Sequence, residues 1–365
     1  GGAGSQSATF AASAVVHDSA SEVAARIGAA EVNADNAGAA AGQGVRVRAE
    51  HDAKQVSVAG SFSASGGVAV GLAADVETIG RLVEASIAGG STVKARGNVS
   101  VDAELDEDIL AVAGSGAFTG TASIAGSATV LALTSSTTAW IGGVVAAGGR
   151  IDVRADGELK ATTIAGNLSA GGTAGVGLSN STIVREDLTR AFIADAAVIS
   201  GLAGIAVNAA SREKLHTISA AGAGGGTAGV GGSAVVNDLS ETTLAWIGDG
   251  TTVNADNAGA SAGQDVEVTA VDDTTLTSVA GAIGGSGTAG VGAGADIEVV
   301  TKLTEAWIWA DVVNARGNVE VRAVSTEDLF AVSAAIGGAG TAGVAGSASV
   351  YLVENRTRAF IGSDE

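Results

Sequence analysis

Short runs of acidic side chains are the residues of this chain whose types and spacing best suit chemistry. Asp106 and Asp108 flank Glu107, and Asp272 directly precedes Asp273. Hard cations such as calcium take carboxylate oxygens as ligands, so these four aspartates are the candidate calcium ligands, and calcium is the only cofactor suggested. No calcium-binding repeat of the Gly-Gly-x-Gly-x-Asp type occurs. The competing interpretation is that these acids are solvated turn residues that keep a sheet protein soluble.

Nucleophilic and acid–base chemistry has weaker support. The histidines His17, His51 and His216 occupy non-equivalent places and form neither a metal-ligand spacing nor a triad. The glycine-rich string at 224–229 lacks the Lys-Ser/Thr pair and the strand–helix context of a phosphate-binding loop. No Gly-x-Ser-x-Gly sequence precedes a helix. We therefore expect no catalytic residue and no enzyme activity.

Composition excludes several classes of partner and site. The chain carries 39 acidic and 19 basic residues, for a formal charge of −20. Nucleic acids and anionic membranes bind basic patches, so neither is expected as a partner. No apolar run reaches the ~20 residues of a membrane-spanning helix. Cysteine and proline are both absent, which excludes disulfides and suits uninterrupted backbone hydrogen bonding in sheets.

Five aromatic residues share one position, between an alanine and an isoleucine. They are Trp140, Phe192, Trp246, Trp307 and Phe360. An exposed ladder of such rings could bind glycans by stacking, whereas a buried ladder would be part of the core. We expect the core position, because alanine and isoleucine flank the ring at every site.

These residues sit in a repeat of about 54 residues, and such periods indicate stacked-repeat architectures. Gly-Thr-Ala-Gly-Val begins at Gly172, Gly226, Gly287 and Gly340. Several sequences recur at offsets of 220 or 221 residues, which indicates duplication in blocks of four units. Residues 1–365 are therefore predicted to form one continuous array. Its segments are 1–24 (the end of a preceding unit), six complete units at 25–84, 85–138, 139–190, 191–244, 245–305 and 306–358, and 359–365 (the start of the next).

Within each unit the apolar residues have a period of two, as in Val99-Ser100-Val101-Asp102-Ala103. This period is typical of half-buried strands, and we predict four or five per unit, with the acidic runs as turns. Alternating glycine and alanine near Gly290 predicts backbone packed against backbone. An all-β, elongated parallel β-solenoid of six repeats meets these demands, with one unit forming either two rungs of ~27 residues or three of ~18. The alternative is an antiparallel hairpin between the run ending at Gly281 and the strand at Gly287. The Ala-Gly-rich segments 35–43 and 256–264 are predicted loops.

The pattern V-x-A-x-G-x-V-x-V-x-A, followed by G-x-A-G-V and T-x-A-[WF]-I, resembles the repeats of giant bacterial exoproteins. These are filamentous-adhesin or hemagglutinin-like proteins, including leukotoxin-type filamentous adhesins. The resemblance covers the whole chain and implies a bacterial extracellular or cell-surface fibre, with no catalytic residue carried over. The expected function is therefore a structural fibre or adhesin stalk, as part of a longer protein or self-assembling filament.

Two consequences follow for partners. The fibre interpretation implies contacts with neighbouring repeats or with other copies, packed end to end or laterally. The alternative function is a repeat module that binds a glycan or a surface through the aromatic ladder, and its partner would be a host or cell-surface glycan.

Overall fold

The computed structural model describes residues 2–362, where the chain consists of β-strands joined by turns and short loops. Residue 1 and residues 363–365 belong to the first and last segments defined above and lie outside the described residues. Within residues 2–362 there is no helix long and apolar enough to cross a membrane.

The strands form three sheets. The first sheet contains β1 (Gly2–Ser5), β4 (Val45–Ser65), β7 (Val99–Thr119), β10 (Ile151–Gly171), β13 (Ile205–Gly225), β16 (Val266–Ser286) and β19 (Val319–Ala339). The second sheet contains β2 (Ala8–Ile27), β5 (Val68–Ile87), β8 (Ala122–Ile141), β11 (Ala174–Ile193), β14 (Ala228–Ile247), β17 (Ala289–Ile308) and β20 (Ala342–Ile361). The short third sheet contains β3 (Glu31–Val32), β6 (Thr92–Ala95), β9 (Val144–Ala147), β12 (Val198–Gly201), β15 (Thr252–Val253) and β18 (Val312–Val313).

Every strand pairs in parallel with its equivalent in the next unit, so one unit forms one coil. Ile151 pairs with Ile205, and the register continues without a break to Gly171 and Gly225. The turns stack in the same way, because the Thr227 amide donates to the Thr173 carbonyl at 2.8 Å. The parallel β-solenoid is confirmed. Both predicted rung lengths are wrong, since each coil uses the whole unit.

The hairpin alternative is also wrong. β16 pairs with β13 and β19 in the first sheet, whereas β17 pairs with β14 and β20 in the second. The two-residue turn at 287–288 therefore passes the chain from one sheet to the facing sheet. The loops predicted at 35–43 and 256–264 are confirmed, because no strand is assigned there.

The acidic run around Glu107 lies in the middle of β7, so its prediction as a turn is wrong. Glu107 points inward and is buried, while Asp106 and Asp108 point outward, so the run continues the alternation of a strand. A buried carboxylate inside a strand needs a charged partner, and Glu107 pairs with Arg81 at 2.6 Å. Each coil therefore has three strands instead of four or five.

The interior is layered from a wide end, where the third sheet lies, to a narrow end at the two-residue turns. At the wide end alanine, valine and isoleucine from all three sheets form one apolar core. Next comes a layer of charged side chains, and then a second apolar layer of leucine and isoleucine. A hydroxyl-rich layer follows, where Thr129 and Ser181 lie 2.7 Å apart. Alanine and then glycine complete the taper.

At the narrow end the two long sheets meet backbone to backbone, as predicted for the strand at Gly290. A Cβ atom at Gly290 would overlap the Gly338 carbonyl oxygen and lie 2.7 Å from that of Gly284. Gly343 and Gly231 are equally closed by facing carbonyl groups. In these coils glycine is needed because a Cβ atom would overlap the facing carbonyl groups, whereas the position equivalent to Gly290 holds Ala69 and Ser123 in the coils of β5 and β8.

The coil is wider than the stack is tall. A strand of 20 residues spans ~66 Å at ~3.3 Å per residue, whereas seven strands spaced by ~4.8 Å cover ~34 Å. The described chain is therefore a flattened blade, and only further repeats would lengthen it along the stacking direction.

We expect Gly290→Ala to destabilise the blade by about 1–3 kcal/mol, because the added methyl group has no space. Hydrogen exchange should show amides losing protection first in the coils around β17, while β7 stays protected. Gly281→Ala is the matched control, since a Cβ there meets nothing within 4 Å. Equal stability of the two variants in chemical unfolding would show that the sheets do not meet at Gly290.

Candidate functional site

The predicted aromatic ladder exists and lies on the outer surface of the second sheet. The five rings occupy one register position, where Phe192 pairs with Trp140 and Trp246, and Trp307 with Trp246 and Phe360. The alanine before each described ring in β8–β17 and the isoleucine after it are buried, so the ring between them points outward and is half-buried. The expectation of a core position is therefore wrong, because strand alternation places the ring opposite its two apolar neighbours.

The ladder rings stack on one another. Centroids of successive rings are 4.2–6.0 Å apart, and the ring planes differ by only 2–6°. Each inner ring therefore has both faces covered by its neighbours, and only its edge is turned to solvent. Sugar stacking requires a free ring face, so the ladder cannot offer one except at its ends.

The two ends of the ladder differ. At one end the Trp140 indole donates to Glu84 at 3.2 Å, and Glu84 also binds Arg26 at 2.7 Å. At the other end Arg358 lies 5.7 Å from the Phe360 ring centroid. Trp309 stands beside the ladder, tilted by 58° against Trp307, and is 42% exposed.

The candidate calcium ligands do not converge. Asp106 and Asp108 lie on the outer face of β7, where Lys54 binds Asp108 at 2.8 Å. Burial against its neighbours raises the pKa of Asp106, and the nearby Lys160 opposes that shift. Asp273 points outward from β16, whereas Asp272 is fully buried.

Asp272 belongs to a column of buried charges that sequence analysis did not predict. The column begins with Arg81 of β5, which donates from Nε to Glu107 of β7 at 2.6 Å. Both side chains are at most 5% exposed. Ser19 accepts a further hydrogen bond from the Arg81 Nη1 atom at 3.0 Å, so this pair satisfies most of its donors and acceptors.

Two coils further on, Arg185 of β11 binds two acids from different sheets. Its Nη2 atom lies 3.2 Å from Asp187 Oδ1 and 3.0 Å from Glu213 Oε1. The Ser211 hydroxyl lies 2.9 Å from Asp187 Oδ2 and 2.5 Å from Glu213 Oε1. The hydroxyl thus links two carboxylates that would otherwise repel one another.

Lys302 of β17 continues the column and is fully buried. Its Nζ atom lies 2.5 Å from Asp272, 3.5 Å from Glu241 and 3.4 Å from Glu327. It also donates to the Thr274 hydroxyl at 2.7 Å, and that hydroxyl donates to Glu241 at 2.7 Å. Burying an isolated ammonium group is prohibitive, so Lys302 is stable here only because several carboxylates surround it.

Among the described residues, one group of carboxylates converges closely enough to share a cation. Oxygens of Glu213, Glu241 and Asp272 lie within 4.8 Å of one another. Calcium takes six to eight oxygen ligands, and this set adds only the Thr274 hydroxyl to three carboxylates. Lys302 already supplies a positive charge at contact distance from Asp272. The donor set therefore fits a buried ammonium better than calcium.

The column contains more acidic than basic side chains, and burial raises the pKa of several of its acids. Burial and then the adjacent Asp272 raise the pKa of Glu241 to about 7, although Lys302 opposes the shift. Burial also raises the pKa of Glu213 well above its ordinary value. In the hydroxyl-rich layer, burial and a hydrogen bond with Asp296 raise the pKa of Glu298 to about 8.

The histidines remain apart in the fold. His17 interacts with Gln55 at 2.7 Å, and His51 lies 3.4 Å from Ser21. His216 stands on the outer face of β13. No pair of them approaches a common ligand, and the one hydroxyl among these contacts is that of Ser21 beside the His51 Nε2 atom.

A signal for the buried charges was present in the sequence. Glu107 has the same parity as Val99 and Val101, so period two already places its side chain inside. An acid whose side chain points into the core, among apolar ones, requires a basic partner that points inward from the facing strand. Arg81 is such a residue, because the odd-numbered side chains of β5 point inward.

The chain matches no family model, and neither a curated protein nor a solved structure shows significant similarity to it. The resemblance to filamentous-adhesin repeats therefore stays a prediction.

The pKa shifts predict that the free energy of unfolding falls as pH rises from about 4.5 to about 8. Glu298 and Glu241 bind protons in the folded state over this range that the unfolded chain, with a pKa near 4.5, has already released. One pKa unit is worth about 1.4 kcal/mol, so the two acids together cost on the order of 5–10 kcal/mol at pH 8. Glu298→Gln should flatten this slope in urea unfolding at several pH values.

Glu320→Gln serves as the control, because Glu320 is exposed on the first sheet. Its pH profile should match that of the parent protein. A Glu298→Gln profile as steep as the parent's would show that Glu298 ionises freely inside the fold.

Proposed function

We propose that the protein is a structural element of a bacterial extracellular or cell-surface fibre, acting as the stalk of an adhesin. The observation that carries this proposal is the unbroken register of three parallel sheets across successive units. Each coil is a template for the next, so the array can be extended by repetition. A spacer that holds a binding element away from a cell needs this property.

The distribution of chemistry supports a mechanical role. Many of the polar interior contacts link one coil to the next or one sheet to the facing sheet, as between Arg185 and Glu213. In stacked repeats each unit is stabilised by contacts with its nearest neighbours. The proposal leaves no function for a catalytic centre, and we propose none.

Glycan recognition by the aromatic ladder has less support. The ladder lies outside, which would favour it, but each inner ring is covered on both faces by rings whose planes differ by at most 6°. Recognition of a glycan would have to use ring edges. We therefore assign the ladder a structural role, as a row that stabilises the stacking of the coils.

Extension by repetition can be tested by inserting a second copy of residues 85–305 between Glu305 and Ala306. The insertion preserves the local junction sequences, because Ala306 begins a unit equivalent to the one at Ala85. Four added coils should lengthen the particle by ~19 Å along the stacking direction at ~4.8 Å per coil. Averaged electron micrographs should show that the ~66 Å width of the coil is unchanged. A separate second particle joined by a linker would contradict a continuous stalk.

Location is tested by immunogold labelling of intact source cells with antibodies against this chain. We expect gold particles outside the cell envelope without permeabilisation, and their loss after external protease treatment. Antibodies against a cytoplasmic protein provide the control for intact cells. Labelling that requires permeabilisation would overturn the extracellular assignment while leaving the fold unaffected.

A further inference from the structure

Acidic and basic residues are almost absent from the narrow half of the blade. This half comprises residues 55–76, 109–130, 161–182, 215–236, 276–297 and 329–350. Of the 39 acidic and 19 basic residues of the chain, only Asp75 and Asp296 lie in it. Both aspartates point inward and are fully buried. Apart from these two buried residues, the acidic and basic side chains are confined to the wide half, and both outer faces of the narrow half carry none.

The face on the second sheet, called here the apolar face, consists of the outward residues of six strand segments. These are 68–76, 122–130, 174–182, 228–236, 289–297 and 342–350. Its large side chains are exposed, with Leu178 at 54% and Val230 at 37%. Asn180 and Thr182 are its only polar outward residues. Exposed apolar patches of this size mark interaction surfaces.

Side-chain size varies across the apolar face in five rows that run along the stacking direction. Successive rows are mostly alanine, mostly valine, mixed leucine and glycine, mostly alanine, and mostly valine. The central row reads Leu72, Gly126, Leu178, Gly232, Ala293 and Gly346. Leucine side chains in this row reach over the next glycine, since a Cβ at Gly232 would lie 2.9 Å from Leu178 Cδ2.

We propose that the apolar face is the lateral docking surface for a second copy of this chain. The two copies lie face to face with parallel stacking directions and are related by a half-turn about that direction. This operation reverses the order of the rows, so each valine row meets an alanine row. A stagger of one coil then places Leu72 on Gly126 and Leu178 on Gly232 of the other copy. Large faces small at nearly every position, as in tightly packed sheet interfaces.

The area is large enough for a stable pair. Nine residues at ~3.3 Å and the six strands that still overlap under a one-coil stagger, at ~4.8 Å, give roughly 850 Å² per copy. The total of about 1,700 Å² lies within the range of stable interfaces, which is about 1,200–2,000 Å². The half-turn also places the two wide, acidic ends on opposite sides of the pair. Two copies that each carry a formal charge of −20 can approach most closely through a surface without charge.

Two copies of the outer face of the first sheet would pack on one another less well than two copies of the apolar face. Its central row is glycine or alanine in every coil, and the rows on either side include Ile164 and Leu168. Reversing these rows would set large residues on large residues and leave a gap over the small row. Packing of the first sheet on the second would form an open array instead of a closed pair. The row pattern therefore favours the second sheet on both copies.

The test measures mass by sedimentation equilibrium for the parent chain and two variants with a single introduced charge. Val230→Lys lies on the apolar face, and Ile283→Lys is its matched control on the first sheet, where Ile283 is 53% exposed. We expect the parent and Ile283→Lys to have twice the 34.8 kDa of one chain, and Val230→Lys to have 34.8 kDa. Circular dichroism spectra should match, because both side chains point outward.

The register is tested with Ala295→Glu, which faces Val230 of the other copy under the one-coil stagger. This variant alone should be monomeric, and its mixture with Val230→Lys should regain the doubled mass. Recovery with Ala234→Glu instead would overturn the stagger. Dissociation by Ile283→Lys, growth beyond a pair, or a monomeric parent at every concentration would overturn the pairing.

The pairing of two chains is argued from the apolar face alone. It rests on the proposed function only where the pair is interpreted as the association of two stalks. The two can fail separately. A monomeric parent chain that still extends by insertion would leave the stalk proposal intact, whereas cytoplasmic labelling would leave the pairing intact.

Discussion

The structure depends on one constraint, which is that each side chain lies ~4.8 Å above and below its equivalents in the neighbouring coils. A residue type is therefore selected for compatibility with its own row as well as with the facing sheet. Apolar and aromatic rows meet this condition easily, since Ile on Ile and Trp246 on Trp307 are favourable contacts. Parallel in-register pairing then leaves few backbone groups without a partner, and a chain without proline suits that requirement.

Side-chain size along the long strands determines the shape of the coil. Isoleucine and valine separate three sheets at the wide end, and glycine allows two sheets to touch at the narrow end. The taper leaves little interior volume where the outer faces are apolar, so the narrow half has no room for buried ion pairs. Charged outward residues are concentrated over the wide half, where the interior also holds its ionic column. Size and charge therefore divide the blade in the same way.

The sequence predicted the solenoid, the unit length and the glycine contact, because each depends on a local pattern that repeats. Period two was visible at Val99 and Val101, and close packing followed from the alternating glycines at Gly290. Coil length was not predictable from these patterns. A charged run such as Asp106 to Asp108 is equally typical of a turn and of a strand in which the inward acid has a basic partner. Only the position of Arg81 in the facing strand decides between them. The outward position of the ladder ring Phe192 follows from the same strand alternation, because Ala191 and Ile193 on either side of it point inward.

The four-unit period has a physical basis in the buried ionic column. If one coil repeated without change, a buried charge would lie ~4.8 Å from an identical charge, at a cost of about 3 kcal/mol at an effective dielectric constant of ~20. The inward row of the second sheet limits this repulsion, since Arg81 is followed by Ser135, Asp187, Glu241 and Lys302, so that two acids are neighbours but the row returns to a base in the next coil. Basic residues return after 221 positions, and Glu107 and Glu327, their acidic partners, are 220 apart. Apolar rows can repeat in every coil, whereas a row of buried charges needs opposite charges or neutral residues near each charge, and in this chain the basic residue of the row returns after four coils.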